Sequence, residues 1–96
     1  MSLVFEWNPR KAQSNHKKHG ITFEEAATVF SDPLARIFAD EKHSDEEPRE
    51  IMVGHSSEKG LLLVCFTELE MGRVRIISAR RATRLEQQDY EENVST

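Results

Sequence analysis

Five arginines and no acidic residue lie in the segment 73–84, although the chain as a whole is acidic, with a formal net charge of −4. The arginines stand at positions 73, 75, 80, 81 and 84, around the β-branched pair Ile76-Ile77, which is typical of a buried strand. A guanidinium group keeps its charge and can hold a phosphate through two parallel hydrogen bonds. The segment therefore indicates a phosphate-bearing partner, with RNA as the first hypothesis. The alternative is that the arginines pair with some of the seventeen carboxylates of the chain.

RNA can be cleaved without a cofactor, because its 2′-hydroxyl attacks the neighbouring phosphate once a base removes the hydroxyl proton. Cationic groups stabilise the charge that develops on the phosphate, and an acid protonates the leaving 5′-oxygen. The candidate catalytic residues are His55 and Glu68 for proton transfer, Arg75, Arg80 and Arg81 for charge stabilisation, and Lys18 as a phosphate contact or a perturbed base.

These candidates have structural alternatives that the sequence leaves open. His55 also fits a partly exposed hairpin histidine, and Glu68 also fits the partner of a strand arginine. Trp7 and Tyr90 could each stack on a base. We favour a core position for Trp7, at a strand end next to a helix cap, and a packing role for Tyr90 on the last helix.

Side-chain alternation limits how many arginines can share one site. On a regular strand, Arg73, Arg75 and Arg81 point to one face, and Arg80 points to the other unless a bulge intervenes. All five arginines can therefore reach one site only through an irregularity of the strand or through the helix that begins at Thr83.

Signatures of a metal or cofactor site are missing from the sequence. The four histidines belong to no HExxH motif, and the chain has no P-loop, dinucleotide-binding glycine pattern or nucleophile elbow. The pair His16 and His19 alone is a weak metal signal. The acidic run Asp45-Glu46-Glu47 indicates a solvated loop, with a metal site as the weaker alternative. We therefore expect catalysis without cofactor or metal.

Length and composition predict one domain that spans residues 1–96. The sequence contains no apolar run of about 18 residues, which a membrane span would need. It also contains no basic region followed by an apolar run, which is the pattern of a secretory signal. Cys65, the single cysteine, lies in the apolar run 61–66 and is expected to be a buried, reduced thiol. These features favour a cytoplasmic protein that does not contact the membrane.

The helices that must position the candidates carry clear start and stop signals. Asn8-Pro9 predicts the N-terminus of a first helix, which runs to about residue 19 and ends at Gly20. A capping box, Thr22 to Glu25, opens a second helix that is predicted to run through residue 30. A second capping box, Thr83 to Glu86, begins a C-terminal helix that extends to about residue 93.

Strands are predicted at 3–7, 34–39, 49–55, 61–68 and 73–81, which gives the order β-α-α-β-β-β-β-α. Consecutive strands joined by short loops imply an antiparallel sheet, and helices segregated from the strands imply an α+β domain in which helices flank the sheet.

Three motifs, in the same order as in a known family, cover nearly the whole chain. They are Phe5-Glu6-Trp7-Asn8-Pro9-x-Lys11-Ala12-x-x-Asn15-x-x-Lys18-His19-Gly20-Ile21-x-Phe23-Glu24-Glu25-Ala26, then Gly54-His55-Ser56, and finally Arg75-Ile76-Ile77-Ser78-Ala79-Arg80-Arg81-Ala82-Thr83. Together they resemble the BrnT family of toxins. The resemblance implies a RelE-like α+β fold and a metal-independent ribonuclease that inhibits translation as part of a type II toxin-antitoxin system.

The same resemblance implies a partner, a BrnA-like antitoxin whose ribbon-helix-helix part binds operator DNA, so that DNA is contacted only through the antitoxin. The residues that match the family's basic motif are Arg75, Arg80 and Arg81, and those that match its other signature positions are Lys18, His19 and His55.

Two departures from the family pattern bear on activity. After Phe66-Thr67-Glu68 the family often continues with Arg-Gly, whereas this chain has Leu69-Glu70. The final helix is often strongly basic, whereas here it is rich in acids. The sequence therefore leaves open the alternatives of an attenuated toxin and of a toxin that relies on the ribosome to present mRNA. It also leaves open a non-catalytic protein-interaction domain on the same scaffold.

Overall fold

The computed structural model describes residues 2–41 and 48–94. The acidic run Asp45-Glu46-Glu47, with its alternative of a metal site, lies outside the described residues. The elements are β1 (Val4–Glu6), α1 (Pro9–His19), α2 (Phe23–Thr28), β2 (Arg36–Ala39), β3 (Glu50–His55), β4 (Leu61–Glu68), β5 (Arg73–Arg81) and α3 (Arg84–Val94), with 3₁₀ turns at Val29–Ser31 and Glu70–Gly72. The predicted order and the α+β class are confirmed.

The sheet is mixed rather than wholly antiparallel. Its strand order is β1-β5-β4-β3-β2. The pairs formed by β2 through β5 are antiparallel as predicted, but β1 lies parallel to β5. A short loop between two consecutive strands implies that they pair antiparallel. β1 and β5 are the first and last strands of the chain, so no single loop joins them and the sequence does not indicate whether they pair parallel or antiparallel.

The predicted helix caps form, with one difference. Asn8 Oδ1 accepts a hydrogen bond from the backbone N–H of Arg10 at 2.9 Å, and Gly20 ends α1 with φ of 73°. At the start of α2, Thr22 Oγ1 accepts the N–H of Glu25 at 3.1 Å. The Glu25 carboxylate does not close this box but accepts the backbone N–H of Glu58, at 2.7 Å, in the β3–β4 loop. α2 therefore begins where predicted, and Glu25 ties it to the hairpin.

The main core lies between one face of the sheet and the first two helices. Its buried residues are Ile21, Phe23, Ala26, Val29, Met52, Leu62, Val64, Phe66, Val74, Ile76 and Ala79. Trp7 is partly buried and packs edge-on against the core residue Phe23, with ring centroids 5.8 Å apart, so the favoured packing role holds at the margin of the core. α2 ends at Thr28, two residues earlier than predicted, because the chain tightens into a 3₁₀ turn there.

The opposite face of the sheet is only partly covered, and we call it the open face. α3 covers one end of it, where Tyr90 is 4% exposed and packs with Val53 and Leu61, so the packing role predicted for Tyr90 is confirmed. Cys65 lies on the part of this face that α3 does not reach. It is therefore half-buried, and the expectation of a buried thiol is corrected.

None of the helices in ranges 2–41 and 48–94 has the length and apolar character that a membrane span requires.

Candidate functional site

A bulge in β5 decides which arginines share a face. Across the β4–β5 pair, Cys65 lies opposite Ser78 and Phe66 opposite Ile76, so Ile77 is an extra residue in β5. An extra residue reverses the alternation of all side chains that follow it.

The reversal places Arg80, rather than Arg81, on the face that carries Arg75. Residues directly opposite in an antiparallel pair share a face. Arg80 lies opposite Leu63 on the open face, whereas Arg81 lies opposite Leu62, which is fully buried under the helices. The exception allowed for in the sequence analysis, a bulge, is thus present, and Arg81 is separated from the other two candidates.

Asn15 attaches α1 to the outer edge of β5. β1 pairs only with residues 73–75, so no strand of the described part of the chain borders the edge of β5 beyond them. Asn15 is 7% exposed and replaces that neighbour: its Nδ2 donates to the carbonyl of Ala79 at 2.9 Å, and the N–H of Ala79 donates to Asn15 Oδ1 at 3.0 Å. Asn15 Nδ2 also donates to the carbonyl of Ile21 at 3.0 Å. The last turn of α1, with Lys18 and His19, is thereby held beside Arg80.

Two adjoining hollows on the open face form what we call the basic cleft. The larger, of about 470 Å³, is lined by Lys18, His19, Asp40, Arg49, Ile51, Leu63, Cys65, Ile77, Ser78, Ala79 and Arg80. The smaller, of about 340 Å³, shares Arg49 and Ile77 with it and adds Glu6, Trp7, Asn8, Lys11, Arg75 and Ile76. Apolar side chains thus form a floor between cations that come from separate elements.

The basic cleft contains three of the six catalytic candidates, Lys18, Arg75 and Arg80. It also contains Arg49 and Asp40, which the sequence analysis did not select. Arg49 stands alone in the sequence and Asp40 begins an acidic loop, so neither belongs to a local pattern that signals a site. His19 had been noted as a family signature position and, with His16, as a weak metal signal.

Arg80 is held by a carboxylate of α3. Its Nη1 and Nη2 donate to Glu86 Oε1 and Oε2, each at 2.8 Å, and Nη1 also donates to the carbonyl of Arg81 at 3.1 Å. Glu86 in turn accepts the N–H of Thr83 at 2.8 Å, which completes the predicted second capping box. These hydrogen bonds fix the orientation of the planar guanidinium. Because the group has five N–H donors, some remain for a ligand.

Arg75 and Arg73 share one carboxylate, that of Glu6. Arg73 Nη2 donates to Glu6 Oε1 at 2.8 Å, and Arg75 Nη2 donates to Oε2 at 3.2 Å. The hydrogen bond from Arg73 is the main reason that the pKa of Glu6 lies below its ordinary value. Pairing of strand arginines with carboxylates, the alternative drawn from the sequence, is confirmed for Arg73, Arg75 and Arg80.

His55 lies outside the basic cleft, at the end of β3. Its backbone N–H donates to Asp32 Oδ2 at 2.7 Å, and its Nδ1 lies 3.5 Å from the same oxygen. Its ring meets that of Tyr90 edge-on, with centroids 5.6 Å apart, and its side chain is 57% exposed. This is the arrangement of the hairpin alternative.

Close packing explains the glycine of the Gly-His-Ser motif. A Cβ on Gly54 would lie 2.8 Å from Ala35 Cβ and 2.9 Å from Val29 Cγ1, so no side chain fits there. The loop that follows is held from α2, where Thr28 Oγ1 accepts the N–H of Ser57 at 2.9 Å. Gly54 therefore marks a close approach of the hairpin to the segment that follows α2.

Glu68 lies at the far end of β4 from His55. His55 is opposite Leu61, the first residue of β4, and Glu68 is the last. Seven residues of extended strand span roughly 23 Å, so His55 and Glu68 cannot act on one phosphate. The sequence alternative for Glu68 was an ion pair with a strand arginine, but Arg73 and Arg75, which flank its cross-strand partner Val74, both bind Glu6.

Within the described residues, no group of three or more His, Cys, Asp and Glu is arranged to hold a metal ion.

The Arg80–Glu86 pair predicts how stability changes in acid. Hydrogen bonds from Arg80 are the main cause that lowers the pKa of Glu86 to about 2 from 4.5. Because the folded-state pKa lies below the unfolded one, the stabilisation is fully present above pH 4.5 and is lost as the pH falls towards about 2. The side chain of Glu86 is 33% exposed, so solvent screening keeps the energy of this surface pair modest.

We expect Glu86→Gln to flatten the loss of thermal stability between pH 5 and pH 2, measured by circular dichroism melts. The matched control is Glu24→Gln, an exposed glutamate of α2, which should follow the wild-type curve. A Glu86→Gln curve parallel to wild type throughout this range would contradict the assignment.

Comparisons with known proteins agree with the fold and with the motifs. Residues 7–86 match the family model described as ribonuclease toxin, BrnT, of type II toxin-antitoxin system. A similar solved structure is the 1.1 Å crystal structure of the Brucella abortus ribonuclease toxin BrnT, with a TM-score of 0.67 and 24% identity over 86% of this chain and 100% of that chain. Comparison with curated proteins gives no match. Because the family model spans most of its length, this chain belongs to the BrnT family of ribonuclease toxins of type II toxin-antitoxin systems.

Proposed function

We propose that this protein cleaves RNA in the basic cleft without a metal ion and so inhibits translation in the cytoplasm. The observation that carries the proposal is the convergence of cations from separate elements: Lys11 and Lys18 from α1, Arg49 from just before β3, and Arg75 and Arg80 from β5. The chain has a net charge of −4, so this concentration of positive charge is local. A local cationic cleft attracts a polyanion to one place on an otherwise repulsive surface.

The arrangement suits phosphate chemistry in particular. Arg80 and Arg75 are oriented by carboxylates, so little reorganisation is needed when charge develops on a bound phosphate. The apolar floor between them, formed by Ile51, Leu63 and Ile77, offers contact area to a base. His55, Glu68 and Arg81 lie outside the basic cleft and have no part in the proposed reaction.

The test is cleavage of a ribosome-free RNA by the purified protein in excess EDTA. We expect fragments that end in a 2′,3′-cyclic phosphate and a 5′-hydroxyl, and no cleavage of DNA of the same sequence, because DNA lacks the attacking 2′-hydroxyl. Cleavage that requires an added metal ion would overturn the metal-independent mechanism. Cleavage only on ribosomes would make the reaction ribosome-dependent, and no cleavage in either setting would overturn the proposal.

The type II family implies an antitoxin partner. We propose a BrnA-like ribbon-helix-helix protein that silences the toxin and carries the complex to operator DNA, so that this chain contacts no DNA itself. A downstream reading frame for such a protein, whose co-expression relieves growth arrest, is the expected result. A neighbouring frame of another class, or none, would contradict this assignment.

A second candidate function, a non-catalytic interaction domain, is favoured by a groove on the other side of Glu86. This groove, of about 330 Å³, is lined by Arg36, Phe38, Ile51, Val53, Leu63, Glu86, Asp89, Tyr90 and Asn93. Phe38 is 48% exposed there, which is suited to binding a protein rather than RNA. Absence of toxicity and of RNA cleavage, together with antitoxin binding, would support this candidate over the nuclease.

A further inference from the structure

Glu86 leaves one particular edge of the Arg80 guanidinium for a ligand. Nη1 gives one N–H to Glu86 Oε1 and the other to the carbonyl of Arg81, and Nη2 gives one N–H to Glu86 Oε2. Two of the five donors therefore remain, the Nε–H and the second N–H of Nη2. In a planar guanidinium these two lie on the same edge and point in the same direction, which suits two oxygens of one phosphate.

Arg80 is open to the basic cleft. Its side chain is 40% exposed and lines the larger hollow. Within residues 2–41 and 48–94, nothing accepts a hydrogen bond from Nε or from the second N–H of Nη2. The pair of parallel donors is therefore held in a fixed direction without a protein acceptor from the described part of the chain.

The two other β5 arginines that bind a carboxylate do so through the opposite choice of edge. Arg73 donates from Nε and Nη2 to Glu6 Oε1, at 3.1 and 2.8 Å, and Arg75 donates from the same two atoms to Glu6 Oε2, each at 3.2 Å. Glu6 thus occupies in Arg73 and Arg75 the edge that Glu86 leaves available in Arg80. Arg75 supplies positive charge to the cleft, whereas Arg80 can in addition hold a phosphate through two parallel hydrogen bonds.

The charge of Glu86 works against RNA binding. Arg80 lowers the pKa of Glu86 to about 2, so the carboxylate is ionised at any pH near neutrality. A negative charge close to a bound phosphate repels it. A guanidinium that is already oriented, however, stabilises the charge of the transition state without reorganisation. Glu86 is therefore expected to weaken binding of the substrate and to favour the chemical step.

We propose that Glu86 is a positioning residue for RNA cleavage, which turns the Nε–Nη2 edge of Arg80 towards the scissile phosphate; this role rests on the proposed function. The phosphate accepts two parallel hydrogen bonds from that edge, and Glu86 itself does not touch the RNA. As charge builds up on the phosphate oxygens, the held guanidinium stabilises it without first having to rotate. Loss of Glu86 should therefore slow the chemical step without weakening binding.

The variant Glu86→Gln, which keeps the size of the side chain but not its charge, separates the two effects. We expect its single-turnover rate, at saturating protein and on the RNA that wild type cleaves, to fall by about 10- to 100-fold, because displacement of a group by about 1 Å can cost about 100-fold. An RNA with 2′-fluoro groups in place of its 2′-hydroxyls cannot be cleaved and measures binding. Glu86→Gln should bind it as tightly as wild type or more tightly.

Two controls distinguish positioning from helix capping and from a general effect of charge. Thr83→Ala removes the hydroxyl that accepts the N–H of Glu86 at 3.2 Å, but leaves the backbone N–H of Thr83 and the Arg80–Glu86 pair in place. Glu92→Gln removes a negative charge from an exposed position of the same helix. Both variants should cleave within a few fold of the wild-type rate. A deficit in Thr83→Ala as large as that in Glu86→Gln would assign the effect to the helix and overturn the proposal.

A double-mutant cycle tests whether Glu86 acts through Arg80. In the Arg80→Ala background, Glu86→Gln should change the rate by less than a few fold, because no guanidinium is left to position. An equal deficit with and without Arg80 would overturn the positioning role. Glu86→Asp replaces Glu86→Gln if the latter does not fold, since a carboxylate that is one methylene shorter cannot hold both ends of Arg80 and should slow cleavage without weakening binding.

The outcomes separate this proposal from the one on which it rests. Wild-type protein that cleaves no RNA, either free or on ribosomes, overturns both. Active wild type, with Glu86→Gln within a few fold of its rate, overturns the positioning role alone. Slow cleavage by Glu86→Gln that comes with weaker binding of the 2′-fluoro RNA would mean that Glu86 helps to hold the substrate, and would also overturn the positioning role.

Discussion

Replacement of Arg80 by alanine is expected to lower RNA cleavage by about 100- to 1,000-fold, the scale for loss of one preorganised group that stabilises transition-state charge. Arg80 is suited to this role because Glu86 holds both ends of its guanidinium at 2.8 Å, and the bulge at Ile77 turns it towards Arg75. Growth arrest on expression should be lost together with cleavage. The measurement is the single-turnover rate on a ribosome-free RNA, with thermal unfolding as the check on folding.

Arg81→Ala is the matched control, since it removes the same side chain one position further along the strand. Arg81 lies opposite Leu62 on the helix-covered side, so its loss should change the rate by less than a few fold. Equal losses in the two variants would mean that general attraction of RNA, and not a positioned group, explains the effect. Folding should tolerate Arg80→Ala, because Glu86 remains partly exposed and keeps its hydrogen bond from Thr83.

Much of the fold could be predicted because its signals are local. The strands β4 and β5 have the predicted bounds, 61–68 and 73–81, since apolar runs between turn residues define them. The starts of all three helices, with their capping residues Asn8, Thr22 and Thr83, were also located. The parallel pairing of β1 with β5 could not be predicted, because it depends on where the whole intervening chain leads.

The candidate site could be predicted only in part, for a physical reason. Arg75 and Arg80 were recognised as phosphate ligands, but their common face depends on one extra residue in β5, and a bulge at Ile77 has no signal in an apolar strand sequence. Asp40 and Arg49 reach the cleft through the sheet order, which the sequence does not show. Resemblance to a family marked His55 as a signature position, yet the structure places it outside the basic cleft, beside Asp32 and Tyr90.

Asn15→Leu is expected to destabilise the fold by about 3–6 kcal/mol, the largest stability effect among the residues of the cleft's framework. The substitution keeps the volume of the side chain but removes three hydrogen bonds, two with Ala79 and one with Ile21. The N–H and carbonyl of Ala79 and the carbonyl of Ile21 would then be buried without partners, and each such group costs about 1–3 kcal/mol. Since a small domain has only about 5–15 kcal/mol of stability, the variant should unfold at a much lower urea concentration.

The control for Asn15→Leu is Gln13→Leu, an exposed position on the same helix, where the change should alter the free energy of unfolding by less than about 0.5 kcal/mol. Urea titration followed by circular dichroism measures both variants. Asn15→Leu would be harmless only if another donor and acceptor reached the backbone of Ala79. Within the described residues no strand supplies them, because β1 stops pairing with β5 at Arg75. An unfolding midpoint equal to that of Gln13→Leu would therefore show that α1 is attached to the sheet by apolar packing alone, and that the positions of Lys18 and His19 do not depend on this amide.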